Sequence, residues 1–488
     1  MTRRNPLMVL GLGIALLFGK PLFAQVSEAN ANPAHEKIKS QAESYYKQGN
    51  YKKTIELTTQ VLDQNKKDDV AFYLRGSAKV EEGLRTNNAD FVRQGIADAR
   101  EAIGLNGQKK MDYYLPYLYG MSSLSQLENR QEHAEVAVQV ASQVLNLAQI
   151  TEDQKANVLY QRARTQSLLG KHTEAAKDYE EALRFNSMHM GAFLGSAHAY
   201  ADAGDAAKAE RQFNQAIQAF PNHPIVYNDR GMFHQQRKQF DKANADFTRV
   251  IELKKDAYYA YTNRGFTLME QGDAEAAEND FDRSLALQPD QAMVHSFRGT
   301  ARLTQGKIAE ATADYQKVVQ LDPNNPVAKA DLGFAQFFAE NYAGAAQQFA
   351  AATKANKELK HLYPWQLVAI KRSQPQADVA GQFTALVETD PEKSDWADHL
   401  LAFMLGRITE GQLLETTKGE DEEVAKSQAC EAHFFIGQKN ALEGNQQAAA
   451  LNFRKSVETK VEHLSAYRGA EMALKRQGVA TSPGSPRN

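Results

Sequence analysis

Apolar positions recur through the middle of this chain in a fixed order and at a fixed distance. A small residue opens each cycle, at Ala163, Ala197, Gly231, Gly265, Gly299 and Gly333. Seven residues later comes a turn position, occupied by Gly170, Gly204, Lys238, Gly272 and Gly306. Five further on stands an alanine (Ala175, Ala209, Ala243, Ala277, Ala311, Ala345), and four beyond it a ring (Tyr179, Phe213, Phe247, Phe281, Tyr315, Phe349). The period is 34 residues and does not slip between Gly170 and Gly306. Such a cycle predicts two amphipathic helices joined by a tight turn. Pro221, Pro289 and Pro323 fall between cycles, where a helix has to end.

The pattern continues less regularly on both sides. A first repeat spans about 35–68, with Ala42, Gly49 and Tyr51 in register. The second begins at Tyr73-Leu74-Arg75-Gly76, carries seven extra residues around Thr86 to Val92, and returns to register at Gly95-Ile96-Ala97-Asp98. These extra residues are expected to lengthen the turn between its helices. A third pair over about 113–150 is marked by Gly120 and by an apolar-periodic helix through Val136, Val140 and Leu147.

The organisation is therefore irregular repeats over 35–155, six gap-free repeats over 156–359, and a closing module over 360–476. That module holds both tryptophans, Trp365 and Trp396. Within it Glu420-Asp421-Glu422-Glu423 reads as a solvated acidic loop, and the repeat resumes in a helix beginning at Cys430, followed by Gly437, Gly444, Ala449 and Phe453. A last helix, His463 to Arg476, is expected to cover the open apolar end, and the tail 477–488 to be disordered.

The 34-residue period with these small and aromatic anchors resembles the tetratricopeptide repeat (TPR) family. The resemblance implies an all-α helix-turn-helix solenoid, a right-handed superhelix of about ten to eleven helical pairs, with a curved binding surface and rarely an active site. A second resemblance lies in the closing module. Tyr363-Pro364-Trp365, the Trp396 helix ending in Leu405-Gly406, and Cys430-Glu431-Ala432-His433-Phe434-Phe435-Ile436-Gly437 look like the end of bacterial envelope TPR proteins of the NlpI type. Those are adaptors that dock cell-wall hydrolases and a periplasmic protease, and the resemblance also implies a homodimer as one arrangement. The chain departs from them in having more repeats and no lipidation cysteine.

The N-terminus changes the picture of where such a scaffold works. Arg3 and Arg4 precede a short apolar run, Leu7 to Phe18, and then Leu22-Phe23-Ala24. This is the layout of a secretory signal peptide, residues 1–24, with Ala29-Asn30-Ala31 as a competing cleavage site. The expected product is exported, periplasmic and soluble, with no membrane insertion after cleavage. Removing residues 1–24 leaves 54 Lys and Arg against 60 Asp and Glu, a net charge of −6. An acidic balance offers nothing to nucleic acid or anionic lipid. The single cysteine, Cys430, allows no internal disulfide and reads as a packed side chain.

Candidate chemistry is sparse. The 12 histidines show no metal-ligand spacing, and no nucleophile elbow or phosphate loop appears, so neither a cofactor nor an enzyme is expected. Arginine at repeat position 7 and aspartate at position 23 come as a pair: Arg162 with Asp178, Arg230 with Asp246, Arg264 with Asp280, Arg298 with Asp314, and Arg75 with Asp98 across the insertion. Where the arginine is missing the aspartate is too: Ser196 with Gln212, Leu332 with Gln348, Ile436 with Asn452. The coupling predicts structural bidentate salt bridges between the two helices of a repeat.

The binding surface is expected on the concave face, at first-helix positions 2, 5, 6, 9, 12 and 13. These supply Asn228, Met232 and Gln235, then Tyr259, Thr262, Asn263, Phe266 and Met269, then Phe297, and finally Phe334 and Phe337. The lysines and arginines with which TPRs clamp a C-terminal carboxylate are missing, so the mix of amides, methionine and rings suits an extended or helical apolar peptide. For Phe334, Phe337 and Phe338 the sequence leaves a second reading open, burial under the Trp365 module. The function expected is a non-catalytic scaffold for protein or peptide partners. Three alternatives stand beside it: a scaffold of a polysaccharide export or secretion complex, a cytosolic chaperone adaptor, and an enzyme using Asp390, Glu392, Asp395, Asp398 and His399 within 360–430.

Overall fold

The computed structural model describes residues 32–478, apart from 107, 108, 389, 391 and 420. The predicted signal peptide, both cleavage sites and all but the first two residues of the predicted tail lie outside the described residues. The chain divides between Lys255 and Asp256 into two compact units.

The first unit is a row of helical hairpins. These are α1 (Pro33–Lys47) with α2 (Tyr51–Gln64), α3 (Asp69–Arg85) with α4 (Ala89–Asn106), and α5 (Tyr114–Glu128) with α6 (Gln131–Leu145). Then come α7 (Glu152–Leu168) with α8 (His172–Phe185), α9 (Met190–Asp202) with α10 (Ala206–Ala219), and α11 (Pro224–Gln236) with α12 (Phe240–Leu253). The second unit continues the pattern with α13 (Tyr258–Glu270) and α14 (Ala274–Leu287), α15 (Ala292–Thr304) and α16 (Ile308–Leu321), α17 (Pro326–Phe338) and α18 (Tyr342–Ala355). It closes with α19 (Tyr363–Ser373), α20 (Ala380–Thr384), α21 (Trp396–Met404), α22 (Glu410–Thr416), α23 (Glu422–Leu442), α24 (Gln446–Glu458) and α25 (Ser465–Arg476). No strand occurs among the described residues, and the fold is an all-α helix-turn-helix solenoid.

The periodic residues each have a mechanical task. The turn glycines sit in the left-handed region, Gly204 at φ 82° and Gly272 at φ 86°, where a side chain crowds the backbone. Lys238 takes that conformation without glycine's freedom, at φ 56°. The small residue that opens a cycle faces the ring that ends it. A Cβ on Gly231 would stand 2.7 Å from the Phe247 ring, on Gly265 2.8 Å from Phe281, and on Gly333 2.7 Å from Phe349. The small residue is thus the socket that brings the two helices of a hairpin together, and Phe213, Phe247, Phe281 and Phe349 are fully buried in such sockets.

Four expectations need correction. The seven extra residues of the second repeat do not lengthen its turn, which is only 86–88. They extend the helices instead: α3 has 17 residues and α4 has 18, against 13 and 14 in the α9–α10 hairpin. Seven residues are about two helical turns, so one turn on each helix keeps both packing faces in register. Close contact along the longer hairpin depends on Gly76 and Gly95, where a Cβ on Gly95 would meet the Gly76 carbonyl oxygen at 2.7 Å. Next, α6 ends at Leu145 and buries Ala134, Ala137, Ala141 and Val144, while Val136 is exposed and Leu147 lies beyond the helix. Its buried stripe is made of alanines, which let neighbouring helices approach. Finally, the acidic run is not simply a loop, and Cys430 does not begin a helix. Asp421 caps α23 by accepting hydrogen bonds from the Glu423 and Val424 amides, and Glu422 and Glu423 form the first turn, where negative charge meets the positive end of the helix.

In the second unit one core runs continuously from Leu303 to Leu474. At its centre Trp365 of α19 lies 4.6 Å from Phe434, measured between ring centroids, in a stacked pair. The last helix, α25, packs Gly469 against Phe434 and Phe338, and its Arg476 bonds to the Phe338 carbonyl and pairs with Glu340 at 3.2 Å.

Candidate partner-binding face

The arginine–aspartate pairs are the most regular polar feature of both units. Arg162 donates to both carboxylate oxygens of Asp178 at 2.6 and 2.7 Å, and Arg230 to those of Asp246 at 2.9 and 2.6 Å. In the second unit Arg264 reaches Asp280 at 2.8 and 2.8 Å, and Arg298 reaches Asp314 at 3.0 and 2.6 Å. The inserted repeat makes the same fork, Arg75 to Asp98 at 2.8 and 2.7 Å. All five aspartates are buried. Each of these guanidiniums joins the first helix of a hairpin to the second.

A further regularity was legible in the sequence but missed. The remaining arm of the guanidinium reaches back to the second helix of the preceding hairpin. Arg162 meets Ser142 at 3.0 Å, Arg230 meets Asn214 at 2.6 Å, Arg298 meets Asp282 at 2.6 Å, and Arg75 meets Thr59 at 3.4 Å. The acceptor stands sixteen residues before Arg75, Arg230 and Arg298, and twenty before Arg162. One side chain clamps three helices.

The first-helix residues expected to bind a partner fall into two groups. Tyr259, Asn263, Phe266 and Met269 on α13 and Phe297 on α15 are half-buried, with Met293 exposed beside them. The Phe266 and Phe297 rings lie 5.3 Å apart, tilted at 53°, and join α13 to α15, with Phe281 5.8 Å from Phe297. This is an aromatic ledge with a polar margin at Asn263. In the first unit Asn228 and Met232 on α11 are also half-buried.

Three of the expected binding residues are buried, and a fourth, Phe334, packs half-buried against the core. Thr262 is 3% exposed, and its hydroxyl shares a 2.8 Å hydrogen bond with Ser284 of α14, so this position faces the partner helix of its own hairpin. Gln235 is buried. Phe334 and Phe337 lie edge-on to Trp365 at 5.0 and 5.1 Å, and Phe338 sits 6.4 Å from the same ring. The chain beyond α18 folds back over α17: Phe337 and Phe338 are buried in the core, and Phe334 is half-buried against it.

The acidic segment of the closing module is taken up by structural work. Asp395 caps α21 in a reciprocal box with Asp398, and Lys360 pairs with both, at 3.0 and 2.8 Å. Asp390 pairs with Lys393 at 2.8 Å, and His399 bonds to the Asp395 carbonyl at 2.8 Å. A shallow recess of about 310 Å³ beside it, lined by Thr353, Lys354, Tyr363 and Phe383 among others, contains neither carboxylate nor imidazole. Among the described residues no group of acidic, histidine or cysteine side chains has metal-binding geometry. Cys430 is fully buried in mid-helix, its sulfur 3.4 Å from the Ser456 hydroxyl, and burial pushes its thiol pKa up.

Family models agree with the repeat reading over part of the chain. Tetratricopeptide repeat models match residues 160–224 and 262–326, and a second such model matches 302–366. No curated protein matches the chain. Among solved structures, the C-terminal part of a TPR repeat-containing protein from Cytophaga hutchinsonii is 16% identical, with a TM-score of 0.40, over 48% of this chain and 95% of that one. A tetratricopeptide repeat protein from Parabacteroides merdae is 17% identical, with a TM-score of 0.37, over 54% of this chain and 99% of that one. The first TPR of Spaghetti (RPAP3), solved with an HSP90 peptide, is 26% identical, with a TM-score of 0.23, over 23% of this chain and 90% of that one.

Proposed function

We propose that this tetratricopeptide-repeat chain is a non-catalytic scaffold of the bacterial envelope that holds protein or peptide partners on the first-helix face of its repeats. The observation that carries the reading is the ledge on α13 and α15. Phe266 and Phe297 offer half-buried rings, Tyr259 and Met269 flank them, and Asn263 supplies an amide able to bond a peptide backbone. Asn228 and Met232 extend the same chemistry to the first unit. Rings and thioether adapt to apolar side chains at small entropic cost, while a stiff array of stapled helices loses little freedom on binding.

Export to the periplasm follows from the basic start at Arg3 and Arg4 and the short apolar run after it. Among the described residues no helix is long and apolar enough to cross a membrane. The closing module's likeness to NlpI-type adaptors points to envelope enzymes as the class of partner, and to a homodimer as one form of the scaffold.

Crosslinking capture from the periplasmic fraction, wild type against Asn263→Ala/Phe266→Ala, tests the proposal. The expected result is a partner captured by wild type and lost from the folded double variant. An unchanged partner list, or absence of the protein from that fraction, contradicts it.

A further inference from the structure

In the first unit, four successive first helices bring a carboxylate, a guanidinium and tyrosine rings to one place. Tyr46 stands in the last turn of α1, Glu81 on α3, Tyr119 on α5 and Arg164 on α7, with Tyr51 at the start of α2. The Tyr46 and Tyr51 rings are 5.6 Å apart, and the Arg164 guanidinium lies 5.0 Å over the Tyr119 ring. All five side chains are half-buried. Glu81 stands six residues after Arg75, where the regular repeats carry Leu168, Asp202, Gln236, Glu270, Thr304 and Phe338.

Glu81 is the unusual member. Its neighbours on α3 are occupied, since Glu82 takes a bidentate bond from Arg85 at 2.9 and 2.6 Å. Glu81 makes no hydrogen bond or ion pair with any described residue. Burial pushes its carboxyl up to about 7, against the pull of Arg164, and its charge helps to raise the phenols of Tyr46, Tyr51 and Tyr119. Arg164 lies near enough to feel Glu81 but spends its guanidinium on the Tyr119 face and on a 3.4 Å contact with Gln161. A desolvated carboxylate without a partner is costly, and rings beside it present negative faces.

We propose that Glu81, with Tyr46, Tyr51 and Tyr119, forms a subsite for a lysine or arginine side chain of an extended polypeptide bound along the first helices of this unit. The cation would bond to the Glu81 carboxylate and lie against the phenol rings, restoring the partner that the fold withholds. An extended polypeptide fits better than a small amine because the four contributing helices lie side by side, and a strand crossing them meets one residue from each. The proposal rests on the reading of the chain as a peptide-binding scaffold, but on other residues and with a different ligand chemistry.

Fluorescence anisotropy with the full chain tests it, using labelled octapeptides of alternating alanine and serine that carry one central lysine, arginine or norleucine. We expect the basic peptides to bind about tenfold more tightly than the norleucine peptide, and the preference to fall below twofold in Glu81→Gln. That variant removes a strained charge and no hydrogen bond, so it should melt no lower than wild type. Equal binding of lysine and norleucine peptides, no binding of either, or a preference that survives Glu81→Gln overturns the subsite. The Asn263→Ala/Phe266→Ala variant separates the two readings. A lysine preference intact in that variant, with partner capture unchanged, defeats only the ledge. Partner capture lost from it, with no lysine preference in wild type, defeats only the subsite.

Discussion

Arg162 closes on Asp178 with two hydrogen bonds of 2.6 and 2.7 Å and reaches Ser142 of the preceding hairpin with a third of 3.0 Å. Asp178 is buried, so removing it strands a partly buried cation between three helices. Asp178→Ala should cost about 3 kcal/mol, and Arg162→Leu/Asp178→Leu clearly less than the two single changes together. Hydrogen exchange of α7 and α8 is the appropriate readout, because a solenoid loses stability repeat by repeat. Additive single effects would show that the pair does not act as a unit.

Gly265 lies where a methyl group would stand 2.8 Å from the Phe281 ring. Gly265→Ala should therefore lower stability by about 1–3 kcal/mol through overpacking. Gly299, at 3.0 Å from Tyr315, should tolerate the same change better. Chemical unfolding of the two variants compares them, and an equal or reversed order would refute the socket account.

The turn at Lys238 offers the opposite outcome. Its φ of 56° is held by a residue with a Cβ where Gly170, Gly204, Gly272 and Gly306 stand in their repeats, and only Glu340, at φ 62°, does the same among the regular repeats. Lys238→Gly should stabilise the α11–α12 hairpin, by about 0.5–1 kcal/mol, once the greater freedom of an unfolded glycine is set against the relieved strain. A lower melting temperature would contradict it.

Glu278 makes a pH-dependent prediction. Burial opposes its charge, but Lys307 at 2.6 Å, with Arg302 and Gln305 each at 2.8 Å, hold its carboxyl down at about 2. A depressed carboxylate stabilises the fold above its unfolded pKa, near 4.5, and loses that contribution as pH falls toward 2. At pH 7 Glu278→Gln should cost about 3 kcal/mol, and the gap from wild type should shrink steadily below pH 4.5. A gap that does not change with pH would mean that the charge is not what Glu278 contributes.

The sequence showed most of the fold because a repeat is its own alignment. Gly265 and Phe281, or Arg264 and Asp280, recur in register, and residues that recur together or vanish together are in contact. Where the copies ended, so did that information. Nothing in one copy says whether Phe334 and Phe337 face a partner or a later segment of the same chain, because Trp365 belongs to no repeat. The insertion near Thr86 misled for a related reason. Gaps are usually absorbed by turns, but a gap of two helical turns can be absorbed by helices at no cost to their packing. Thr262 was misplaced by treating every nominally concave position as outward-facing, although a small hydroxyl can turn toward Ser284 of its own hairpin.

The most direct test places a photoreactive residue on the ledge and on the opposite helix layer of the same unit. Asn263→p-benzoylphenylalanine puts it beside Phe266, and Gln316→p-benzoylphenylalanine puts it on the exposed side of α16. After irradiation of the periplasmic fraction, a discrete covalent partner from position 263 and none from position 316 is the predicted result. Crosslinks from position 316 alone, or the same products from both, would show that the first-helix face is not where this scaffold holds its partners.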